Sequence, residues 1–141
     1  MKLYFAYGSN MWDEQMNSRC PDSRKIGISI LPGYRWIIIK RGFANVVEAQ
    51  GSEVEGVLFE ISPSDEKSLD CKEGVAKGLY QKIELLVQHE GEEKLALIYI
   101  DPVKEEGEPS DEYVDRINRG LADAKLSDAY VEVQIRKFIH E

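Results

Sequence analysis

Between Ile26 and Ile61 the chain is almost continuously strand-like, and its connections are too short to hold a crossover helix. Ile26 to Leu31, Tyr34 to Lys40, Gly42 to Val47 and Val54 to Ile61 are runs rich in β-branched and aromatic residues. Pro32-Gly33 reads as a turn between the first two. Downstream, Leu79 to Gln88 places Leu79, Gln81, Ile83, Leu85 and Val87 on one face and Tyr80, Lys82 and Glu84 on the other. After His89-Glu90-Gly91-Glu92-Glu93, Lys94 to Ile100 returns as the second arm of a hairpin. The βα alternation that a doubly wound parallel sheet requires is missing. The expected fold is therefore an α+β domain built on a curled or closed sheet. With 141 residues, 43% of them hydrophobic, it is expected to be a single domain over residues 1–141.

Helices are expected around this sheet. Asn10 is placed to cap Met11 to Met16, Ser64-Asp65-Glu66 starts a short helix ending near Asp70, and Ser110 caps a longer one. On that longer helix Tyr113, Ile117, Leu121 and Ala124 share a stripe. Ser127-Asp128 begins the last helix, with Val131, Ile135 and Phe138 on one side. Trp12, Met16 and Trp36 read as packing residues.

A net charge of -8 argues against phosphate backbones and anionic lipids as partners. No nucleic acid and no membrane partner is expected, and the one basic pair, Lys40-Arg41, reads as a solvated strand end. The N-terminal apolar run is too short for a signal-peptide core or a membrane span, so a cytoplasmic protein is expected. Cys20 and Cys71 form no CxxC pair and read as free thiols, with Cys71 as a small buried apolar residue. The only histidines, His89 in an expected hairpin turn and His140 at the C-terminus, read as surface residues, which argues against a thiol nucleophile with a histidine base. No spacing suits a zinc site, and neither metal nor cofactor is expected.

The segment FAYGSN is the local feature that most needs a reason. A buried strand ends abruptly in Gly8-Ser9-Asn10, three residues that bury almost nothing. Glycine admits close approach of a ligand, and a strand-to-helix turn leaves several N–H groups pointing the same way. Such donors suit an anion or a developing oxyanion. Neither the phosphate-loop patterns nor GxSxG is present. Taken alone, the hexapeptide reads as an ordinary helix start. Glu73 is one of 26 acidic residues and by itself reads as a solvated charge. Tyr80 and Tyr113 read as core residues with hydroxyls at the rim.

Several motifs in order change that reading. YFAYGSNM from Tyr4, Arg19-Cys20-Pro21, Gly42 to Val47, Glu53 to Phe59, Leu69 to Val75, Leu79-Tyr80 and, more loosely, Glu108 to Tyr113 resemble the gamma-glutamylcyclotransferase-like family (AIG2-like proteins). Met11-Trp12 resembles that family's glutathione-directed branch, while the rest of the chain fits the shorter, general branch. The resemblance implies a mixed, mostly antiparallel closed β-barrel with flanking helices around a small cavity. It implies that Glu73, in its Glu-Gly-Val context, is the catalytic general base and acid. It further implies that Ala6, Tyr7, Gly8, Ser9, Asn10, Tyr80 and Tyr113 hold the substrate, the loop acting largely through its backbone. The implied activity is cyclisation of a small γ-glutamyl substrate to 5-oxoproline, with no cofactor. The released amine stays open among amino acids, γ-glutamylamine products and biosynthetic intermediates. A monomer and a homodimer are both compatible with the sequence. A noncatalytic small-metabolite binding module on the same fold is the alternative.

Overall fold

A computed structural model describes residues 1–141. Five strands close into a barrel in the order β1-β3-β2-β4-β5. They are β1 (Lys2–Ala6), β2 (Arg24–Ile38), β3 (Ala44–Ile61), β4 (Gln81–His89) and β5 (Glu92–Ile100). All neighbours are antiparallel except β1 and β5, which meet in parallel at Tyr4 and Leu97 and close the sheet. The expected mixed, mostly antiparallel closed barrel is the fold observed.

The strand runs read between Ile26 and Ile61 merge into two long strands, and Pro32-Gly33 does not turn the chain. Pro32 still pairs with Glu53, and the register then shifts so that Tyr34 faces Glu48. Gly33 takes φ +82 at this irregularity, a value open to glycine at little cost. Beyond the register shift β2 and β3 stay paired from Tyr34 to Ile38, where Trp36, Ile37 and Ile38 are buried. The β4–β5 hairpin turns tightly through Glu90-Gly91, since His89 already pairs with Glu92. Its inward face is shorter than expected. Val87 is buried, whereas Ile83 is 41% exposed, because β4 meets β2 only at Gln88 opposite Ile30.

Helices flank the barrel. A single 3-10 turn (Ser9–Met11) leads into α1 (Asp13–Arg19), so Asn10 lies inside that turn and Trp12 takes the N-cap position. Asn10 is buried instead: its Nδ2 donates to Tyr4 Oη, and its Oδ1 accepts from Gln15 and Arg19. The next helix, α2 (Pro63–Lys72), starts earlier than expected. Ser62 and Asp65 form a reciprocal capping box, and Pro63 occupies the first turn, where a missing N–H costs nothing. Ser110 caps α3 (Asp111–Ala124) as expected, its Oγ accepting from the Tyr113 N–H at 3.2 Å. Ser127 caps the short final helix (Asp128–Tyr130), which continues as a wide π-helical turn through Ile135. No helix is long and apolar enough to cross a membrane.

The core joins the barrel interior to α3 and the C-terminal segment through Phe5, Met11, Trp36, Phe59, Ile117 and Ile135. Trp36 and Met16 pack as expected, and Trp12 is half-buried beneath the Arg119 guanidinium. Cys20 is buried, but Cys71 is exposed on α2. His89 is not a plain surface residue: its ring packs over Gly27, and Nδ1 lies 2.9 Å from the Ile28 carbonyl oxygen.

Candidate active site

A cavity of about 250 Å³ opens where β1 ends. Gly8, Ser9 and Asn10 form one side, Glu73 another, and Tyr80 and Tyr113 lie on the wall with Tyr7. Six residues of the chain's first ten, together with Glu73, Tyr80 and Tyr113, thus meet in one place although more than a hundred residues separate the ends of the set. Ala6 is the exception among the residues singled out from sequence. It is buried within β1 opposite Val57 and does not line the cavity.

Local structure explains each placement. Gly8 sits at φ -123 and ψ -135, outside the left-handed region, and its lack of a side chain also matters for space. A Cβ there would lie 3.2 Å from Ala44 Cβ and 3.3 Å from the Tyr113 hydroxyl. The carbonyls of Gly8 and Ser9 are taken by Met11 and Trp12 N–H groups. The first N–H groups of such a turn have no acceptor within it. Trp36 Nε1 donates to the Tyr7 carbonyl at 2.8 Å, and Tyr7 Oη donates to the Tyr99 carbonyl, which pins the loop to the barrel.

Glu73 sits at the C-cap of α2, where its N–H donates to the Leu69 carbonyl. Gly74 follows in the left-handed region at φ +65, and a Cβ there would come within 2.8 Å of Leu79 Cδ1. The Glu-Gly pair therefore ends the helix and lets Leu79 fold over it. Burial pushes the Glu73 carboxyl up to about 7; Arg19 and then Arg41 pull the other way through space. At neutral pH this group divides between acid and base.

The tyrosines grip one peptide unit. Tyr80 Oη donates to the Ala44 carbonyl at 2.7 Å, and the Ala44 N–H donates to Tyr113 Oη at 3.1 Å. The Ser110 cap sets Tyr113 within the first turn of α3, from which its ring reaches the cavity. Burial pushes the Tyr113 phenol up to about 12, so both hydroxyls stay protonated.

Four cations and one carboxylate line the cavity: Arg19, Arg41, Lys72 and Arg116 against Glu73. This local balance opposes the net charge of -8 and suits an anionic ligand. No feature of the sequence marked any of the four for the site. Arg41 in particular is more than a solvated strand end, although it is exposed. Its guanidinium pairs with the buried Asp101 and lies 5.7 Å from the centre of the Tyr80 ring. Only its position beside the Gly42 to Val47 motif marked that loop as noteworthy.

Known proteins are similar to this chain in sequence and fold. The model of the AIG2-like family matches residues 53–133. The gamma-glutamylcyclotransferase of Mus musculus is 32% identical over 92% of this chain and 75% of its own length. That of Homo sapiens is 31% identical over the same shares. A solved gamma-glutamyl cyclotransferase structure superposes with a TM-score of 0.87 at 30% identity, covering 99% of this chain and 88% of that one.

Proposed function

The chain belongs to the gamma-glutamylcyclotransferase family of AIG2-like proteins, and from that premise we propose that it cyclises the glutamyl group of a small γ-glutamyl amide to 5-oxoproline, releasing the attached amine. The observation that carries this reading is Glu73, the single carboxylate of a small cationic cavity, held with its pKa near neutrality. A cavity of about 250 Å³ fits an amino-acid-sized group better than a nucleotide cofactor.

The chemistry asks little of the protein beyond positioning and one mobile proton. Ionised Glu73 takes a proton from the substrate's α-ammonium. The freed amine nitrogen attacks the γ-carbonyl carbon, forming the new C–N bond of the five-membered ring. Collapse of the tetrahedral centre breaks the bond to the leaving nitrogen, which receives the proton from Glu73. The ring nitrogen then gives its second proton to the regenerated carboxylate, which passes it to the departing amine, so the products are the neutral lactam and an ammonium ion. Atoms and charge balance without water or cofactor. Folding the flexible glutamyl chain into attack geometry is worth up to roughly 7–11 kcal/mol. Proton transfer by a well-placed carboxylate contributes about a hundred- to ten-thousand-fold. Gly8 to Asn10 offer backbone donors to the substrate's oxygens, and the two tyrosines shape the wall.

The test is to incubate the protein with γ-glutamyl dipeptides and γ-glutamylamines, and to quantify 5-oxoproline and free amine by mass spectrometry. The proposal expects equal amounts of both from at least one compound. Tight binding with no product over long incubation would instead identify a noncatalytic binding module.

A further inference from the structure

Arg41 is held on three sides by groups that have no other evident use for it. It lies in the connection 39–43 between β2 and β3. Its Nη2 donates to Asp101 Oδ2, and the side chains are 34% and 1% exposed respectively. Asp101 is itself fixed. Its Oδ1 accepts the Val103 N–H at 2.7 Å, its N–H donates to Asn45 Oδ1, and its carbonyl accepts from Asn45 Nδ2. The guanidinium also packs against the Phe43 and Tyr80 rings, 5.9 and 5.7 Å from their centres.

As scaffolding this is a poor choice, because apolar residues could fill the same space without desolvating a carboxylate. As a ligand site it has the right properties. A guanidinium has five N–H groups, and Asp101 engages one nitrogen, leaving donors free on a side chain that lines the cavity. The other three cations of the wall, Arg19, Lys72 and Arg116, also line the shallow polar trough that adjoins the cavity, and Arg41 does not. That trough gives a leaving amine of variable size room to extend. The α-carboxylate, at the opposite end of any γ-glutamyl compound, is then carried toward Arg41.

We propose that Arg41 binds the α-carboxylate of the substrate's glutamyl group, with Asp101 as the positioning residue that aims it. This rests on the cyclisation reading above for the identity of the ligand. It assigns the preformed, rigid cation to the invariant part of the substrate, and leaves the backbone donors at Gly8 to Asn10 to the γ-carbonyl oxygen.

The probe is γ-N-methylglutamine, which carries a single carboxylate, compared with its α-carboxamide, in which a neutral amide replaces that carboxylate and the α-ammonium is kept. Binding is measured by calorimetry in the Glu73→Gln background, so that turnover does not interfere. Arg41→Met is expected to weaken binding of the carboxylate probe about 10- to 100-fold and to leave the affinity for the carboxamide unchanged. Arg41→Lys keeps the charge without the fork and is expected to fall between. Asp101→Asn is expected to weaken the carboxylate probe when Arg41 is present and to have no further effect in Arg41→Met. Equal losses for both probes, or no preference for the carboxylate when Arg41 is intact, would overturn the assignment. If Asp101→Asn does not fold, the Arg41 variants decide alone. The two readings separate cleanly. Carboxylate-dependent binding without 5-oxoproline from the wild-type protein removes cyclisation and keeps Arg41, whereas product formation with carboxylate-blind binding does the reverse.

Discussion

Replacing Glu73 by glutamine should stabilise the fold at alkaline pH while destroying the proposed activity. Burial raises the carboxyl from 4.5 to about 7, and each unit of pKa difference between folded and unfolded chains corresponds to about 1.4 kcal/mol. The sign follows from linkage. A carboxyl with a raised folded-state pKa contributes its full stability below pH 4.5 and loses it as pH rises through 7, because the unfolded chain ionises first. By pH 8 ionised Glu73 should therefore cost the wild type about 3 kcal/mol. The amide that Glu73→Gln introduces is neutral throughout and avoids that cost. Urea denaturation of both proteins from pH 4.5 to 8 measures the difference directly. The expected result is near equality at pH 4.5 and a growing advantage for Glu73→Gln that levels off above pH 7. A pH-independent difference, or a less stable variant at pH 8, would show that the carboxylate is solvated and would refute the reasoning.

Other consequences follow from particular contacts. Tyr113→Phe removes the acceptor of the buried Ala44 N–H, and should cost about 1–3 kcal/mol in urea denaturation. Gly8→Ala places a methyl against Ala44 and the Tyr113 hydroxyl. It should raise KM for any cyclised substrate with a stability loss of only about 1 kcal/mol. Burial, with Asp65 nearby, pushes the Cys20 thiol up to about 12 while Cys71 is exposed. In native protein an aromatic disulfide reagent should therefore titrate one thiol, and Cys71→Ser should abolish the reaction.

The barrel was legible because strand-rich runs with short connections leave few other solutions, and the Ser110 cap because its reason is local. What escaped depended on tertiary contacts, some of them between residues distant in sequence. Pro32-Gly33 has the chemistry of a turn, but the paired length of β3 opposite turns it into a bulge. Asn10 resembles a cap until Tyr4, Gln15 and Arg19 claim its side chain. Arg41 looks like a solvated strand end because its partner, Asp101, lies 60 residues away. Glu73 could not be distinguished from the other acids by periodicity. Its identity came from the Glu-Gly-Val context, and the structure supplies the physical content: Gly74 ends the helix, Leu79 folds over it, and the carboxyl is withdrawn from water. Cys71 was misread because exposure on a short helix leaves no mark on a single residue.

The central claim is that a carboxylate withdrawn from water moves the proton that closes the ring. Its most direct test is the pH dependence of kcat/KM for 5-oxoproline release from the best γ-glutamyl substrate, measured for the wild type and Glu73→Gln. The expected profile rises with pH through a midpoint near 7 in the wild type, and the variant forms essentially no product. A rise centred near 4.5, or comparable 5-oxoproline release by Glu73→Gln, would contradict it.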